Sequence, residues 1–272
     1  MTLQGSLTHE EYCAHLLDET GRLREIVRTA DLTVTVPTCP DWTLADLARH
    51  VGGAHRWVHT IVTTRASKAV APADVPEGGG PEGGGPEGAD PAALDAWLAA
   101  GAAQLVAALR EAGPDTEVWS WTPARSTGFW ARRMTHETVI HRADAALTAG
   151  APFEVPAPVA ADCLEEWLQI GELPVVAARF AERGADLCGP GRTIHVHATD
   201  APPGLTAEWL LDLTGEAPTH RRTHEKAAVA LRGPLTDVLQ VLYRRLPADS
   251  DRVEVLGDAA LLDRWLAVAS FG

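Results

Sequence analysis

Apolar positions in the first half of the chain recur with the period of amphipathic helices, and capping residues mark where two of these helices begin. Thr8 and Glu11 have the spacing of a capping box, in which each side chain satisfies a free backbone amide of the first turn. They predict a helix over residues 8–30 with one apolar face. Thr43 and Asp46 repeat the pattern and predict a second helix, which continues to about Arg65.

Two further helices are predicted over residues 91–112 and 128–149, the first opened by a proline and the second followed by a glycine stop signal. Between the second and third helices, residues 76–88 read PEGGGPEGGGPEG. Such glycine density cannot bury apolar surface, so this insertion, within residues 70–90, is predicted to be a flexible surface loop or linker. A lid over a site is the alternative interpretation. Four helices with apolar faces predict a helical bundle.

The second half of the chain changes to short apolar runs that alternate with helices. Strands are predicted at residues 193–198, 208–213, 227–231 and 252–256, and helices at 160–180, 234–246 and 258–269. A cluster of prolines marks a boundary near residue 155. We therefore predict the α+β class, with a helical bundle over residues 1–154 followed by a smaller α/β domain over residues 155–272.

Composition and charge exclude several classes of function. Apolar residues make up 46% of the chain and charged residues 22%, which is a globular balance. The formal net charge is −14 with scattered basic residues, so we expect no nucleic-acid partner. We see no signal peptide and no apolar run long enough to cross a membrane. The four cysteines lack a CxxC pair, which indicates a reducing, cytoplasmic compartment, and Cys39 is predicted to be a buried structural thiol.

The fourth predicted helix carries the chemistry in the stretch RRMTHETVIH. His136 and His141 are five residues apart, which turns a helix by about 140° and prevents both from binding one ion. Glu137 and His141 are four apart and share a face with apolar residues. A carboxylate on that inward face needs compensation. A hydrogen-bonded structural pair and a pair of metal ligands both satisfy this need.

The second predicted helix offers a third ligand. His50 lies on the same face as Leu47 and Ala54, whereas His55 and His59 lie on the opposite face and are predicted to contact solvent. A third inward ligand favours a metal. Two imidazoles and one carboxylate suit zinc, which they bind at about 2.0–2.2 Å, with a position left open for water or substrate, as in catalytic sites.

Two N-terminal segments resemble the mycothiol-dependent maleylpyruvate isomerase family. They are VPTCPDWTLADLARH at residues 36–50 and FWARRMTHETVIHRAD at residues 129–144; the C-terminal motifs RGPLTD and VLGD resemble the same family. That family has a DinB-like four-helix bundle followed by a smaller α/β domain. Its metal ligands fall on His50, Glu137 and His141. The chain departs from the family in its glycine-rich insertion and at Ala143, where relatives often carry an aromatic residue.

The resemblance implies an enzyme that uses Zn²⁺ and mycothiol, the low-molecular-weight thiol of actinobacteria. A zinc-bound thiolate would add to a small electrophilic substrate, either as a cis-trans isomerase or as an S-transferase. The family also uses an arginine of the C-terminal domain in its active site, for which Arg245 is the candidate and Arg244 the alternative. An ordinary surface arginine at a helix end is the other interpretation of Arg245. We expect a monomer or a small homo-oligomer.

Two other functions remain open at this stage. A metal-containing ligand-binding or regulatory module would keep the fold without catalysis, and a metal-dependent hydrolase would need a general base, for which His136 is the nearest candidate. His195 and His197 alternate along a predicted strand and are interpreted as ordinary strand residues. His220 and His224 flank a basic turn and are predicted to face water.

Overall fold

The computed structural model describes residues 7–76, 79, 84–183 and 187–269, apart from the side chains of residues 179–181 and 183. The chain divides into two compact units, one built on Leu7–Phe153 and the other on Glu154–Gly272. Within the described residues, helices predominate in the first unit and a mixed sheet with helices forms the second. The predicted α+β class, a helical bundle followed by a smaller α/β part, is confirmed.

The four predicted helices of the first unit form with nearly the predicted bounds: α1 (His9–Thr29), α2 (Leu44–Thr63), α3 (Pro91–Ala112) and α4 (Thr127–Ala149). Both capping boxes are present, at Thr8 with Glu11 and at Thr43 with Asp46. Helix α1 packs against α3 and α4, and α2 packs against α3 and α4. The core between them is aliphatic, so burial of leucine and valine holds the bundle together.

A short antiparallel hairpin joins α1 to α2. Its strands are β1 (Thr35–Val36) and β2 (Cys39–Thr43). Cys39 is only partly buried, so the prediction of a buried thiol is wrong for this residue. The hairpin brings Thr38 and Trp42 to the end of the bundle at which α2 begins, and both residues contribute to the site described below.

The glycine-rich insertion is described only in part. Residues 77–78 and 80–83, on which much of the prediction of a flexible loop falls, lie outside the described residues. Two described points of the insertion lie against α2: Gly79, between the two undescribed stretches, is buried near Arg56, and the Arg49 guanidinium donates to the carbonyl oxygen of Pro86 at 2.8 Å. These two points of the insertion are therefore attached to the bundle.

Helix α3 is long and apolar enough to cross a membrane, by length and composition alone. The expectation that no apolar run reaches that length is therefore wrong for this helix. Half of its most apolar window is buried, and Leu94, Leu98 and Leu105 lie in the interior of the unit. A core helix of a bundle meets the same criterion, so the match is weak evidence of a membrane span.

The second unit contains, among its described residues, a five-stranded sheet in the order β5-β4-β3-β6-β7. The strands are β3 (Thr193–Ala198), β4 (Glu208–Asp212), β5 (Thr219–Arg221), β6 (Val229–Gly233) and β7 (Glu254–Gly257). Among these five described strands, β3 and β6 are the one parallel pair of neighbours. Four of these strands were predicted within about two residues. Strand β5 was not, because its three residues are polar and carry no apolar alternation.

The helices of this unit are α5 (Ala157–Gly171), α6 (Pro174–Arg183), α7 (Leu235–Leu242) and α8 (Ala259–Val268). The single helix predicted over residues 160–180 is wrong, because Pro174 cannot continue α5 and opens α6 instead. Side chains on β3 alternate: Ile194 and Val196 are fully buried on one face of the sheet, which leaves His195 and His197 on the other.

His220 was predicted to face water, and this prediction is wrong. Its side chain is only 7% exposed because Nδ1 lies 2.6 Å from Glu172 Oε1 and Nε2 lies 3.1 Å from Glu165 Oε1. Burial alone would lower the pKa of His220, but the hydrogen bonds with Glu165 and Glu172 raise it to about 9. The imidazolium therefore ties β5 to α5. His224 is 76% exposed, as predicted.

Candidate metal centre

The structure brings His50, Glu137 and His141 together at one end of the bundle. His50 lies in the second turn of α2, and the other two residues lie on consecutive turns of α4. The Nε2 atoms of His50 and His141 lie 3.1 and 3.2 Å from the same oxygen, Glu137 Oε1. The three side chains are between 12% and 24% exposed. Their ligand atoms therefore converge on one point, and the three side chains keep some exposure to solvent.

Asp144 orients one of these imidazoles. Its Oδ2 lies 2.9 Å from His141 Nδ1, and its Oδ1 accepts a 2.5 Å hydrogen bond from the hydroxyl of Thr38. A carboxylate can only accept, so Nδ1 of His141 carries a proton and Nε2 is the nitrogen that faces the centre. Metal-bound histidines generally have such a partner. The three-residue spacing of His141 and Asp144 on one helix was the available signal for this contact in the sequence.

Arg133 and Trp42 complete the surroundings. The Arg133 guanidinium donates to Glu137 Oε2 at 3.0 Å, which leaves Oε1 facing the two histidines. The Trp42 ring lies 4.7 Å from the ring of His50 and 6.1 Å from that of His141. The carboxylate is therefore held in one orientation, and an aromatic ring covers the imidazoles on one side.

The electrostatics of the centre favour a cation. Burial alone would raise the pKa of Glu137, but the hydrogen bonds from His141 and His50 and the charge of Arg133 hold it well below the usual range. Burial alone would lower the pKa of His141, but the hydrogen bonds to Asp144 and Glu137 raise it to about 9. Two carboxylates thus attract positive charge to this position, and a divalent metal would take the place of that proton.

Two family models match this chain. Residues 13–146 match the mycothiol maleylpyruvate isomerase N-terminal domain, and residues 154–264 match the C-terminal domain of the same family. The chain belongs to the mycothiol maleylpyruvate isomerase family. The resemblance given by its motifs is therefore confirmed, and the family identifies the chain as an isomerase enzyme.

Two crystal structures share the fold. One is that of the mycothiol-dependent maleylpyruvate isomerase, at 16% identity, with a TM-score of 0.54 over 92% of this chain and 93% of that one. The other is a histidine-to-alanine mutant of that enzyme, at 15% identity, with the same TM-score and coverage. At these identities the likeness shows a common fold. No curated protein sequence matches the chain significantly.

Two histidines of this family member occupy positions that the sequence did not predict. His55 is fully buried, with Nε2 2.9 Å from the hydroxyl of Thr138, so the prediction that it faces solvent is wrong. The prediction assumed one buried stripe, whereas α2 is buried by α3 on one side and α4 on another. Burial and the nearby charge of Arg56 lower the pKa of His55 to about 3. His59 is partly buried, which lowers its pKa as well.

The general base that a hydrolase would need is not supplied by His136. This residue is fully buried, and its ring packs edge-on against Tyr12 of α1 with centroids 6.0 Å apart. His136 thus faces α1, about 100° around the helix from its neighbour Glu137. The hydrolase alternative loses its candidate residue.

Arg245 lies in the second unit, in the turn that follows α7. Its guanidinium donates to the carbonyl oxygen of Tyr243 at 2.7 Å, and the side chain is partly buried. The neighbouring Arg244 is exposed and has a left-handed backbone with φ of 61°. A role for Arg245 in the chemistry of the family remains a prediction.

Proposed function

We propose that the chain is a thiol-dependent isomerase that uses mycothiol and holds one zinc ion through His50, Glu137 and His141. The observation that carries the proposal is the convergence of two imidazole nitrogens on one oxygen of Glu137, in a chain whose family is that of the mycothiol maleylpyruvate isomerases. Two imidazoles and one carboxylate suit zinc and leave at least one coordination position for a thiol or water.

When bound there, zinc supplies the Lewis acidity that keeps a ligated thiol deprotonated at neutral pH. The chain's own residues prepare the ligands. Asp144 keeps Nε2 of His141 directed at the centre, where a metal would replace its proton, and Arg133 holds the second oxygen of Glu137. Trp42 covers one side of both imidazoles and restricts the access of water.

We expect the substrate to be a small electrophile with a cis double bond conjugated to a carbonyl group. Addition of the thiolate converts the double bond to a single bond, rotation follows, and elimination of the thiolate gives the trans product, so the thiol is not consumed. An S-transferase would use the same residues and retain the adduct. Arg245 is proposed to donate a charged hydrogen bond to the substrate or the thiol.

The remaining expectations about the molecule belong to the same proposal. Residues 1–154 are proposed as the metal-binding domain and residues 155–272 as a second domain. The thiol cosubstrate and the reduced cysteines favour a cytoplasmic enzyme. We expect it to act as a monomer or a small homo-oligomer, without a nucleic-acid or membrane partner.

The test measures zinc and isomerase activity in the same preparations. The chain should bind zinc with or without mycothiol. It should isomerise maleylpyruvate only when mycothiol is present. The His50→Gln/His141→Gln variant should lose one equivalent of zinc per chain together with the activity. His15→Gln, which changes a partly buried histidine on α1 outside the centre, should keep both.

Three results would change the assignment. If the His50→Gln/His141→Gln variant retained all of its zinc, the metal centre would be wrongly placed. If isomerisation went on without any thiol, the mycothiol part of the proposal would fail. If each turnover consumed one thiol and released a thioether, the enzyme would be an S-transferase at the same centre.

A further inference from the structure

A second convergence of ligand atoms lies on the sheet of the second unit. His195 and His197 share one face of β3, and Glu208 on β4 is the direct cross-strand partner of His197. Glu208 Oε2 lies 3.1 Å from His195 Nε2 and 3.0 Å from His197 Nδ1. Strand pairing therefore brings together two imidazoles that are two residues apart and a carboxylate from the neighbouring strand.

A third imidazole reaches the same oxygen from the segment between β5 and β6. His224 Nδ1 lies 2.5 Å from Glu208 Oε2. The ring centroids of the three histidines are 5.3 to 5.7 Å apart, and all four ligand atoms lie within 4.8 Å of one another. His195 is buried, whereas His224 is exposed, so the cluster extends from the sheet to the surface.

The arrangement directs more imidazole nitrogens at one oxygen atom than that atom has lone pairs. One carboxylate oxygen has two lone pairs, yet three imidazole nitrogens converge on Glu208 Oε2. A cation among the four atoms would accept one lone pair from each of them. Four ligands at about 2.0–2.1 Å in a tetrahedron lie about 3.3 Å from one another, so small outward movements would suffice.

The candidate metal centre of the first unit has the same signature. There, two imidazole nitrogens lie 3.1 and 3.2 Å from one oxygen of Glu137. In the sheet cluster, three imidazole nitrogens surround one oxygen of Glu208 at comparable distances. The sheet cluster is the richer of the two in nitrogen ligands, and imidazole nitrogen selects zinc and its transition-metal neighbours over magnesium or calcium.

We propose that His195, His197, Glu208 and His224 form a second metal site, which binds a divalent transition metal of the zinc class. Four protein ligands leave no open position in a tetrahedral site, so its role is structural. The metal would attach the segment that follows β5 to strands β3 and β4. That segment also makes an exposed pair between Arg221 and Glu225, and its backbone donates to the Thr193 hydroxyl from Ala228.

Zinc titration of the full chain, purified without a histidine tag and stripped with a chelator, tests the site. We expect two equivalents of tightly bound zinc per chain. His197→Gln/His224→Gln should bind one equivalent, as should His50→Gln/His141→Gln, and the variant with all four changes should bind none. Glu225→Gln is the matched control, because this carboxylate follows His224 directly but lies outside the cluster, and it should still bind two.

Each deviation identifies which site is absent. If His197→Gln/His224→Gln binds as much zinc as the unchanged chain, the second site is overturned, whatever happens at the first. If His50→Gln/His141→Gln binds as much as the unchanged chain, only the proposed catalytic centre fails. Circular dichroism checks that each variant is folded. The single change His224→Gln, at an exposed side chain, gives a version of the test with little risk to the fold.

A second measurement follows the segment itself. Lys226 is exposed two residues after His224 and offers a trypsin site. Zinc should slow cleavage after Lys226 at least several-fold in the His50→Gln/His141→Gln background, and the added His224→Gln change should abolish this protection. Equal cleavage rates with and without zinc in that background would overturn the structural role.

Discussion

The two carboxylate oxygens of Asp144 have different partners, the imidazole of His141 and the hydroxyl of Thr38, and the residue is fully buried between them. Asp144 is not itself one of the three proposed metal ligands. Its effect is to fix which nitrogen of His141 faces the centre, because the proton on Nδ1 is held by Asp144. Asp144 is thus a positioning residue whose contribution can be measured through the metal.

We predict that Asp144→Ala lowers the zinc affinity of the candidate metal centre by about 10- to 100-fold, because His141 loses the partner that fixes its tautomer and orientation. Competition with a chromophoric chelator measures the affinity, in the His197→Gln/His224→Gln background so that one site is observed. Asp144→Asn is the control, since its amide oxygen can still accept from Nδ1, and it should lose less. An unchanged zinc affinity in Asp144→Ala would show that Asp144 does not position His141 for the metal.

His220 gives a prediction at the same scale for the second unit. Its pKa rises to about 9 in the folded protein from an ordinary value of 6.5, chiefly through Glu165 and Glu172 once the opposing effect of burial is overcome. The folded state therefore binds the proton more tightly than the unfolded state. The stabilisation is fully present below pH 6.5 and is lost as the pH rises through about 9.

We predict that the free energy of unfolding falls by up to about 3 kcal/mol between pH 6.5 and 9.5 because of this residue, since one pKa unit corresponds to about 1.4 kcal/mol. Urea unfolding across that range measures the slope, with tryptophan fluorescence as the signal. His220→Gln should be less stable at pH 6.5 and should lose much of the slope. A His220→Gln variant with the same pH dependence as the unchanged chain would contradict the prediction.

At the scale of elements, the close approach of α2 and α3 depends on a glycine. A Cβ atom added to Gly52 would lie 2.2 Å from Trp97 Nε1 and 2.4 Å from Trp97 Cδ1. The same indole lies under Arg56, whose guanidinium donates to the carbonyl oxygens of Gly52 and Trp97. A methyl group at Gly52 therefore requires the two helices to move apart or the Trp97 indole to shift.

We predict that Gly52→Ala destabilises the bundle by about 1–3 kcal/mol, because overpacking outweighs the helix propensity that alanine gains. Gly21→Ala is the matched control on α1: nothing lies within 4 Å of its added Cβ, and it should stabilise the protein by about 0.5–1 kcal/mol. Urea unfolding measures both. Stabilisation by Gly52→Ala would show that the helices can separate at little cost.

The sequence predicted where helices begin better than it predicted which of their side chains are buried. The capping pairs at Thr8 and Thr43 fix where α1 and α2 begin because a cap acts locally. The burial of His55 depends on α3 and α4 covering different sides of α2, which the period of one helix does not contain. Pro174 is a sequence signal for the break between α5 and α6. The continuous apolar run on both sides of this proline favoured one helix instead.

The same limit separates the two clusters of ligands. Glu137 and His141 lie one turn apart on a single helix, so helical spacing was sufficient to pair them. Prediction of the sheet cluster would have required the register of β3 with β4, which sets His197 opposite Glu208. It would also have required the path of the chain after β5, which brings His224 to the same oxygen. Pairing between distant strands is a property of the folded sheet, and alternation along β3 alone predicted ordinary strand residues.

At the scale of the whole molecule, the proposed role of Arg245 in binding the thiol or the substrate can be tested against its neighbour in sequence. Arg245 and Arg244 are adjacent in sequence but differ in setting: Arg245 is partly buried and hydrogen-bonded to the Tyr243 carbonyl, and Arg244 is exposed. This pair provides a test within the full chain, because either change removes the same charge from the same turn.

We predict that Arg245→Ala keeps its full zinc content but binds mycothiol or substrate about 10- to 150-fold more weakly, since a charged hydrogen bond contributes about 1.5–3 kcal/mol. Calorimetric titration with mycothiol and the KM for maleylpyruvate separate the two ligands, and kcat should change less than KM. Arg244→Ala is the control and should resemble the unchanged chain.

If Arg244→Ala shows the loss of affinity and Arg245→Ala does not, the proposed role moves to Arg244. If neither variant shows it, this turn has no part in the chemistry. Zinc content is measured in the His197→Gln/His224→Gln background, and its loss in Arg245→Ala would instead indicate that the change disturbs the fold, because a side chain that binds only the thiol or the substrate leaves the three ligands of the metal unchanged.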